Sequence, residues 1–371
     1  MAHAFWIGES HMDEMQKQAV LGIPATSSFI IKGPAGSGKT NILLLRAKWL
    51  KLKSVGEFKI VVFTGSLKVF VREGCVQYGI PPDSVVTAMQ LFKELLSEYG
   101  VEYELTGNFV DDRHMLAGKV KALIDERDIR GIYPVVLVDE AQDYIHTELL
   151  VFRQLAENLV LAADSRQSIY DVKVEAGMLE SLVDGNIVIL KYHYRSGLNL
   201  CIVADAVLRD SANFPPIQGE CKYPENIRPS SLVPFECASF AEQVGLIIRK
   251  LEAQLSLYPD ERIGVMFPKN IQLDKFREAL KLSGFSGLER VWIDTLHGCK
   301  GWEFRAVHIG GCEELSSMRA VQKRLVYTGI LRAKTSVSLY YTGSIPPYLD
   351  GAIAKLSAPV EDPEFDDLFG G

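Results

Sequence analysis

The chain has 371 residues, 47% hydrophobic and 23% charged, an ordinary globular composition whose length suggests two domains. Disordered, collagen-like and fibrous chains are excluded. With 40 Lys and Arg against 47 Asp and Glu the formal charge is −7, so the whole molecule is not drawn onto nucleic acid or an anionic membrane, and any such contact needs a local surface.

A strand over 28–32 leads into Gly33-Pro34-Ala35-Gly36-Ser37-Gly38-Lys39-Thr40, and a helix over 41–53 follows. Segments 59–64, 68–75, 84–87 and 90–99 continue the alternation of strand and helix. A polar stretch holds one helix over 112–128, and the apolar strand 134–138 ends in Asp139-Glu140. A helix over 147–156 and strands over 159–163 and 186–190 close a first domain, assigned to residues 1–190. The second domain, 191–359, reads as helix 197–209, an irregular loop 210–229, strand 234–238, helix 242–255, strand 262–267 and helix 273–283. It goes on with strands 291–295 and 305–310, helix 318–331 and strand 336–341. Continuous apolar strands separated by helices imply parallel sheets covered on both faces, hence an α/β fold. There is no internal repeat. An acidic tail, 360–371, is too polar to pack and reads as a frayed end.

The six cysteines form no CxxC pair and no Cys/His cluster, which points to reduced thiols and away from zinc. No basic and apolar leader opens the chain and no stretch approaches the ~18 apolar residues of a membrane span, so the expectation is a soluble, cytoplasmic protein.

Residues 33–40 fit G-x-x-x-x-G-K-[ST]. Gly33, Gly36 and Gly38 let backbone N–H groups converge on phosphate oxygens, and the helix N-terminus favours their charge. Lys39 reaches the β- and γ-phosphates, and Thr40 offers its hydroxyl to Mg²⁺. A chance Gly-rich turn is the bland alternative, disfavoured by the strand before and the helix after. The second half of such a site is a carboxylate at the end of another apolar strand. In Asp139-Glu140-Ala141-Gln142-Asp143, Asp139 suits Mg²⁺ and Glu140 suits the attacking water. Alone, the paired acids could equally open a solvated helix.

At this point the chain resembles the UvrD/Rep/PcrA-type superfamily 1 helicases. Residues 139–143 look like that family's second motif, and Gln16 looks like its adenine-reading glutamine. Residues 163–170 resemble the third motif, with Gln167 sensing the γ-phosphate and Tyr170 near the DNA path. Tyr194 and Arg195, in Tyr192-His193-Tyr194-Arg195-Ser196, resemble the adenine-stacking tyrosine and γ-phosphate arginine of the fourth. Thr295, His297, Gly301 and Glu303 lie in a run close to T-x-H-x-x-K-G-x-E-F, and Arg332 precedes Ala333-Lys334 as the sixth motif's finger does.

The resemblance implies two RecA-like P-loop NTPase domains with the ATP cleft between them. It implies Lys39, Glu140, Gln167, Arg195 and Arg332 as catalytic, and Thr40 and Asp139 on Mg²⁺. The nucleotide set is Gln16, Gly33, Ala35, Gly36, Ser37, Gly38, Lys39, Thr40, Asn41, Tyr194, Arg195, Gly301, Glu303 and Arg332. Phe63, Thr64, Thr87, Tyr170, Thr295 and His297 match positions along the nucleic acid, and Phe70 and Trp302 are further aromatic candidates.

The chain also departs from the family. One large insertion is reduced to the helix 112–128 and the other, before strand 291, is missing. Asp171-Val172-Lys173 stands where the family stacks a tryptophan on a base, and Asn41 stands where it often places arginine. The function implied is a single-stranded-DNA-stimulated ATPase and 3′-to-5′ translocase that unwinds weakly or with a partner. The alternative is a nucleic-acid-gated ATP switch controlling a partner such as a nuclease in DNA repair or phage defence. A small-molecule phosphotransferase is disfavoured, since it has no use for the later motifs. The tail, with Phe365, Leu368 and Phe369, is a candidate docking peptide for a protein partner.

Overall fold

The computed structural model describes residues 6, 8, 11–164, 166, 177–209, 215–317 and 323–357. The chain divides into two compact units, Met1–Tyr194 and Arg195–Gly371. Each is built on one parallel sheet, the α/β arrangement expected of RecA-like domains.

The first unit holds β1 Phe29–Lys32, β2 Phe58–Val62, β3 Val85–Thr87, β4 Tyr133–Val138, β5 Ala156–Ala163 and β6 Ile187–Ile189, in the order β3-β2-β4-β5-β1-β6. Pairing Lys32 with Ala163 and Val138 with Leu161 brings β1, β4 and β5 to a common carboxyl edge. Ile30, Ile31, Val136, Leu137 and Val138 are all buried, because helices cover both faces. On one face Phe92, Leu116, Val120 and Phe152 build a core under helices Ala88–Glu98, Phe109–Glu126 and His146–Leu155.

Caps decide where helices Gly65–Tyr78, Ala88–Glu98 and Phe109–Glu126 begin. Thr64 Oγ1 accepts from the Leu67 N–H at 3.1 Å, Thr87 Oγ1 from that of Gln90 at 3.2 Å, and Asn108 Oδ1 from that of Val110 at 2.9 Å. Each cap contributes roughly 1 kcal/mol. Asn108 explains why the helix expected over 112–128 opens earlier, at Phe109.

The second unit holds β7 Ser231–Cys237, β8 Ile263–Phe267, β9 Val291–Thr295, β10 Phe304–Ile309 and β11 Ala333–Thr342, in the order β7-β11-β10-β8-β9. Between helix Asn270–Leu282 and β9 stands only a 3₁₀ turn, Leu288–Arg290. The described part of the expected irregular loop is anchored: Glu225 accepts from the Leu198 N–H at 2.8 Å and from the Ser230 hydroxyl at 2.7 Å. No helix among the described residues is long and apolar enough to cross a membrane. Residues 360–371 and the expected helix start at 318–322 lie outside the described residues.

Candidate functional site

The loop after β1 is shaped by its glycines. Gly36 and Gly38 take φ of 69° and 88°, a region that costs a side chain. A Cβ on Gly33 would come within 2.7 Å of Ser37 Oγ and 2.9 Å of Leu190 Cβ. Helix Lys39–Leu52 begins behind Gly38 with no side-chain cap, so its N-terminal dipole faces the loop. Ser37 Oγ is buried with no hydrogen-bond partner. Lys39 is buried, and its Nζ donates to the Gly33 and Pro34 carbonyls, 2.9 Å each, 4.0 Å from Asp164 Oδ2.

Acidic groups close the other side. Thr40 Oγ1 donates to Asp139 Oδ2 at 2.7 Å. Burial, and then the neighbouring Glu140 charge, raise the Asp139 carboxyl above the ordinary carboxylate range. Glu140 is itself buried with φ 53°, ψ 44°, a left-handed conformation that costs a non-glycine residue roughly 1–3 kcal/mol and clusters at functional sites. Gln142 Nε2 holds Glu140 Oε2 at 2.6 Å while Gln142 Oε1 accepts from the Asp164 N–H at 3.0 Å, a side-chain bridge from β4 to β5.

A second layer surrounds the loop. Gln16 Nε2 donates to the Ser37 carbonyl at 2.9 Å, and Gln16 shares a capping box with Asp13. Asp13 also accepts from the Tyr194 hydroxyl. His193 Nδ1 donates to the Ala35 carbonyl, and the Tyr194 N–H donates to Gly36 O at 3.0 Å. Asn41 accepts from the Tyr78 hydroxyl and points away from solvent. Sequence reasoning missed Asp13, Gln142, Asp164 and His193 as site residues. Asp164 carried a usable signal, since it ends apolar β5 as Asp139 ends apolar β4.

In the second unit the expected nucleotide residues gather among themselves. Arg195 pairs with Glu303, and its Nη1 donates to the Leu331 carbonyl at 3.4 Å. Arg332 is buried, donating from Nε to Thr328 O at 3.2 Å and from Nη1 to Trp302 O at 3.3 Å. Gly301, two residues before Glu303, takes φ 84°.

Of the residues expected along nucleic acid, Thr64, Thr87, Thr295 and Phe63 make contacts within the chain. Thr64 and Thr87 are the helix caps above, and Thr295 Oγ1 accepts from the Gly298 N–H at 3.3 Å. His297 is half-buried, and burial lowers its pKa. Phe63 lies in the core rather than presenting a stacking face, with the Arg113 guanidinium 4.9 Å from its ring centroid and Tyr144 edge-on at 5.4 Å. Phe70 packs against Trp6 at 4.9 Å, and Trp302 stacks on Phe304 at 6.3 Å. Gln167 and Tyr170 lie outside the described residues.

The residues present fit a nucleoside triphosphate with Mg²⁺. The glycine cradle would be filled by a Cβ, and Ser37 Oγ is an orphaned donor within it. Thr40 and Asp139 form the oxygen pair that Mg²⁺ takes alongside phosphate and water. Among the described residues no group of three or more His, Cys, Asp and Glu is placed to hold a metal by itself.

No protein-family model matches the chain. Over 239 residues it is 26% identical to a curated protein of Mycoplasma pneumoniae named "Probable DNA helicase", covering 62% of this chain and 44% of that relative. The chain thus spans less than half the length of that relative. Among solved structures it is similar to the arterivirus nonstructural protein 10 (helicase), with a TM-score of 0.46 and 14% identity over 91% of this chain and 64% of that one. It is also similar to the C-terminal domain of a possible DNA helicase from Lactobacillus plantarum, with a TM-score of 0.32 and 19% identity over 42% of this chain and 91% of that one.

Proposed function

We propose that the chain is a nucleic-acid-stimulated ATPase of the UvrD-like superfamily 1 helicase class that moves 3′ to 5′ on single-stranded DNA. The observation that carries this reading is the convergence of Lys39, Thr40, Asp139, Glu140 and Asp164 on the carboxyl edge of one parallel sheet, around a glycine loop and a helix N-terminus. Ligands of α/β sheets bind at such an edge.

In this reading ATP is the substrate and its phosphates lie in the loop. Lys39 exchanges the Gly33 and Pro34 carbonyls for β- and γ-phosphate oxygens. Thr40 and Asp139 hold Mg²⁺, which when bound neutralises phosphate charge. Glu140, held by Gln142, orients and deprotonates the attacking water. Gln16 and Tyr194 recognise the base. The roles of Gln167, Arg195, Gly301, Glu303 and Arg332 toward the nucleotide, and of Thr64, Thr87, Tyr170, Thr295 and His297 toward the strand, rest on the resemblance of their motifs.

The test is steady-state ATP hydrolysis with and without single-stranded DNA at two salt concentrations, with Lys39→Ala as the blank. Stimulation that declines with salt is expected, because neutralising backbone phosphates releases counterions. Hydrolysis equal in wild type and Lys39→Ala would overturn the assignment.

One observation favours a second reading, an ATP-gated switch acting on a protein partner. Only helix Phe109–Glu126 stands between helix Ala88–Glu98 and β4, and only the turn Leu288–Arg290 precedes β9, where the resembled family inserts whole subdomains. Hydrolysis without strand separation, restored or redirected by an added nuclease partner, would select it.

A further inference from the structure

Two cysteines stand apart from the other four. Cys201, buried on helix Leu198–Leu208, and Cys221, half-buried at the end of the 3₁₀ turn Gln218–Glu220, have sulfurs 4.0 Å apart. Both sulfurs lie against one acceptor, the Ser196 carbonyl, at 3.6 and 3.5 Å. Cys299 and Cys312 instead donate to carbonyls three residues back in their own turns, and Cys75 and Cys237 are buried. Glu225, bonded to the Leu198 N–H, ties the loop of Cys221 to the start of the helix that carries Cys201.

Chemistry divides the pair into two roles. The Cys201 thiol, hydrogen-bonded to the Cys221 sulfur, brings the Cys221 pKa down to about 7, whereas the same contact and burial push Cys201 up. The thiolate is the nucleophile in thiol–disulfide exchange. The accessible member is therefore the attacking one, and the buried member lies where a resolving thiol belongs. Closing a disulfide requires the sulfurs to approach to about 2.05 Å, a shift of roughly 2 Å shared between a loop and a side-chain rotation.

We propose that Cys201 and Cys221 form a redox couple that a small-molecule disulfide of the glutathione class converts into an intramolecular disulfide. The Cys221 thiolate attacks one sulfur of oxidised glutathione, forming a mixed disulfide and expelling one glutathione thiolate. Cys201 then attacks the Cys221 sulfur, forming the Cys201–Cys221 bond and expelling the second glutathione. Two electrons pass from the protein thiols to glutathione, and the two thiol protons leave on the released glutathione. Closing the bond removes the thiol protons available to the Ser196 carbonyl. Ser196 adjoins Arg195 and its hydroxyl donates to the Leu331 carbonyl at 3.3 Å, so oxidation acts on the segment that positions Arg195. This last consequence rests on the nucleotide role proposed for Arg195.

The test incubates the full chain in oxidised and reduced glutathione at several ratios, quenches it by alkylation, and maps the peptides by mass spectrometry while measuring DNA-stimulated hydrolysis. The expected result is a Cys201–Cys221 linked peptide that dithiothreitol removes. Cys201→Ser should stop at one glutathione on Cys221, and Cys221→Ser should give neither product. Wild type that stays unlinked, or that is modified first at another cysteine, overturns the couple. Hydrolysis should fall several-fold on oxidation of wild type and not of Cys221→Ser. A link that leaves hydrolysis unchanged overturns the coupling to Arg195. A reduced protein without hydrolysis overturns the ATPase reading instead, and the peptide linkage still decides the couple.

Discussion

Thr40 Oγ1 donates a 2.7 Å hydrogen bond to Asp139 Oδ2 across 99 residues of chain, joining the helix behind the glycine loop to the end of β4. The bond aligns two oxygens that a hard cation takes together, and it opposes the destabilisation of Asp139 by burial and by Glu140. Thr40→Val keeps the shape and removes the donor. The apparent Mg²⁺ affinity in hydrolysis should fall at least about tenfold, with Thr40→Ser close to wild type. Equal Mg²⁺ titrations of wild type and Thr40→Val would remove Thr40 from the metal site.

A buried ion pair holds the acidic loop from outside. Arg113, on helix Phe109–Glu126, donates from Nε to Glu148 Oε1 at 2.8 Å and from Nη2 to the Asp143 carbonyl at 2.6 Å. Arg113→Met leaves the buried Glu148 charge uncompensated and should cost about 3–5 kcal/mol. Arg113→Met with Glu148→Leu should recover part of that loss, as chemical denaturation of the two single variants and the double variant would show. A double variant as unstable as the sum of its parts would refute the pairing.

The parts of the molecule legible in sequence are those written in contiguous residues. Buried parallel strands are apolar runs, and residues 29–31, 135–138 and 263–267 declare themselves in that way. The Gly33, Gly36 and Gly38 spacing encodes a backbone shape. What stayed hidden is carried by pairs far apart in the chain. Gln142 meets Asp164 over 22 residues, and Arg113 meets Glu148 over 35. No local pattern distinguishes a polar side chain that bridges two strands from one in solvent. Phe63 shows the converse: its place after β2 matched a nucleic-acid position, but the Arg113 and Tyr144 that surround it lie 50 and more residues on, and they put its ring in the core. The pairing of Cys201 with Cys221 is hidden for the same reason, since neither spacing nor composition marks it.

Arg46 is fully buried on the helix behind the glycine loop, donating to Val20 O at 2.9 Å, Ile23 O at 2.7 Å and Pro24 O at 2.7 Å, with Trp49 4.2 Å from its guanidinium. Burial lowers its pKa to about 10, so it stays charged at neutral pH. It clamps the π-helix Gln18–Gly22, which follows directly on the helix carrying Gln16. Arg46→Met leaves three carbonyls without their donor and should cost about 2–4 kcal/mol. Arg46→Lys should rescue little, because one ammonium does not reproduce the fork. If Gln16 recognises the base, the KM for ATP rises more than kcat falls, and discrimination against GTP declines in both variants. Unchanged discrimination would make Arg46 purely a stability residue.

His308 predicts a pH dependence with a definite sign. It is fully buried on β10, with Nε2 donating to Gln254 Oε1 and Nδ1 accepting from the Tyr340 hydroxyl, 2.8 Å each. Burial, helped by Lys250, lowers its pKa to about 3. The unfolded chain takes up this proton near pH 6.5 and the folded chain does not until about 3. The unfolded state therefore binds more protons across that window, and stability rises with pH through it. The contribution is fully present above pH ~6.5 and falls by about 1.4 kcal/mol per pH unit on acidification, or about 2 kcal/mol by pH ~5. His308→Gln keeps a polar group between Gln254 and Tyr340 and does not titrate. Its unfolding free energy, followed in urea at pH ~7 and ~5, should lose about 2 kcal/mol less than wild type over the same interval. Equal losses in the two proteins would show that His308 takes up its proton in the folded chain as readily as in the unfolded one.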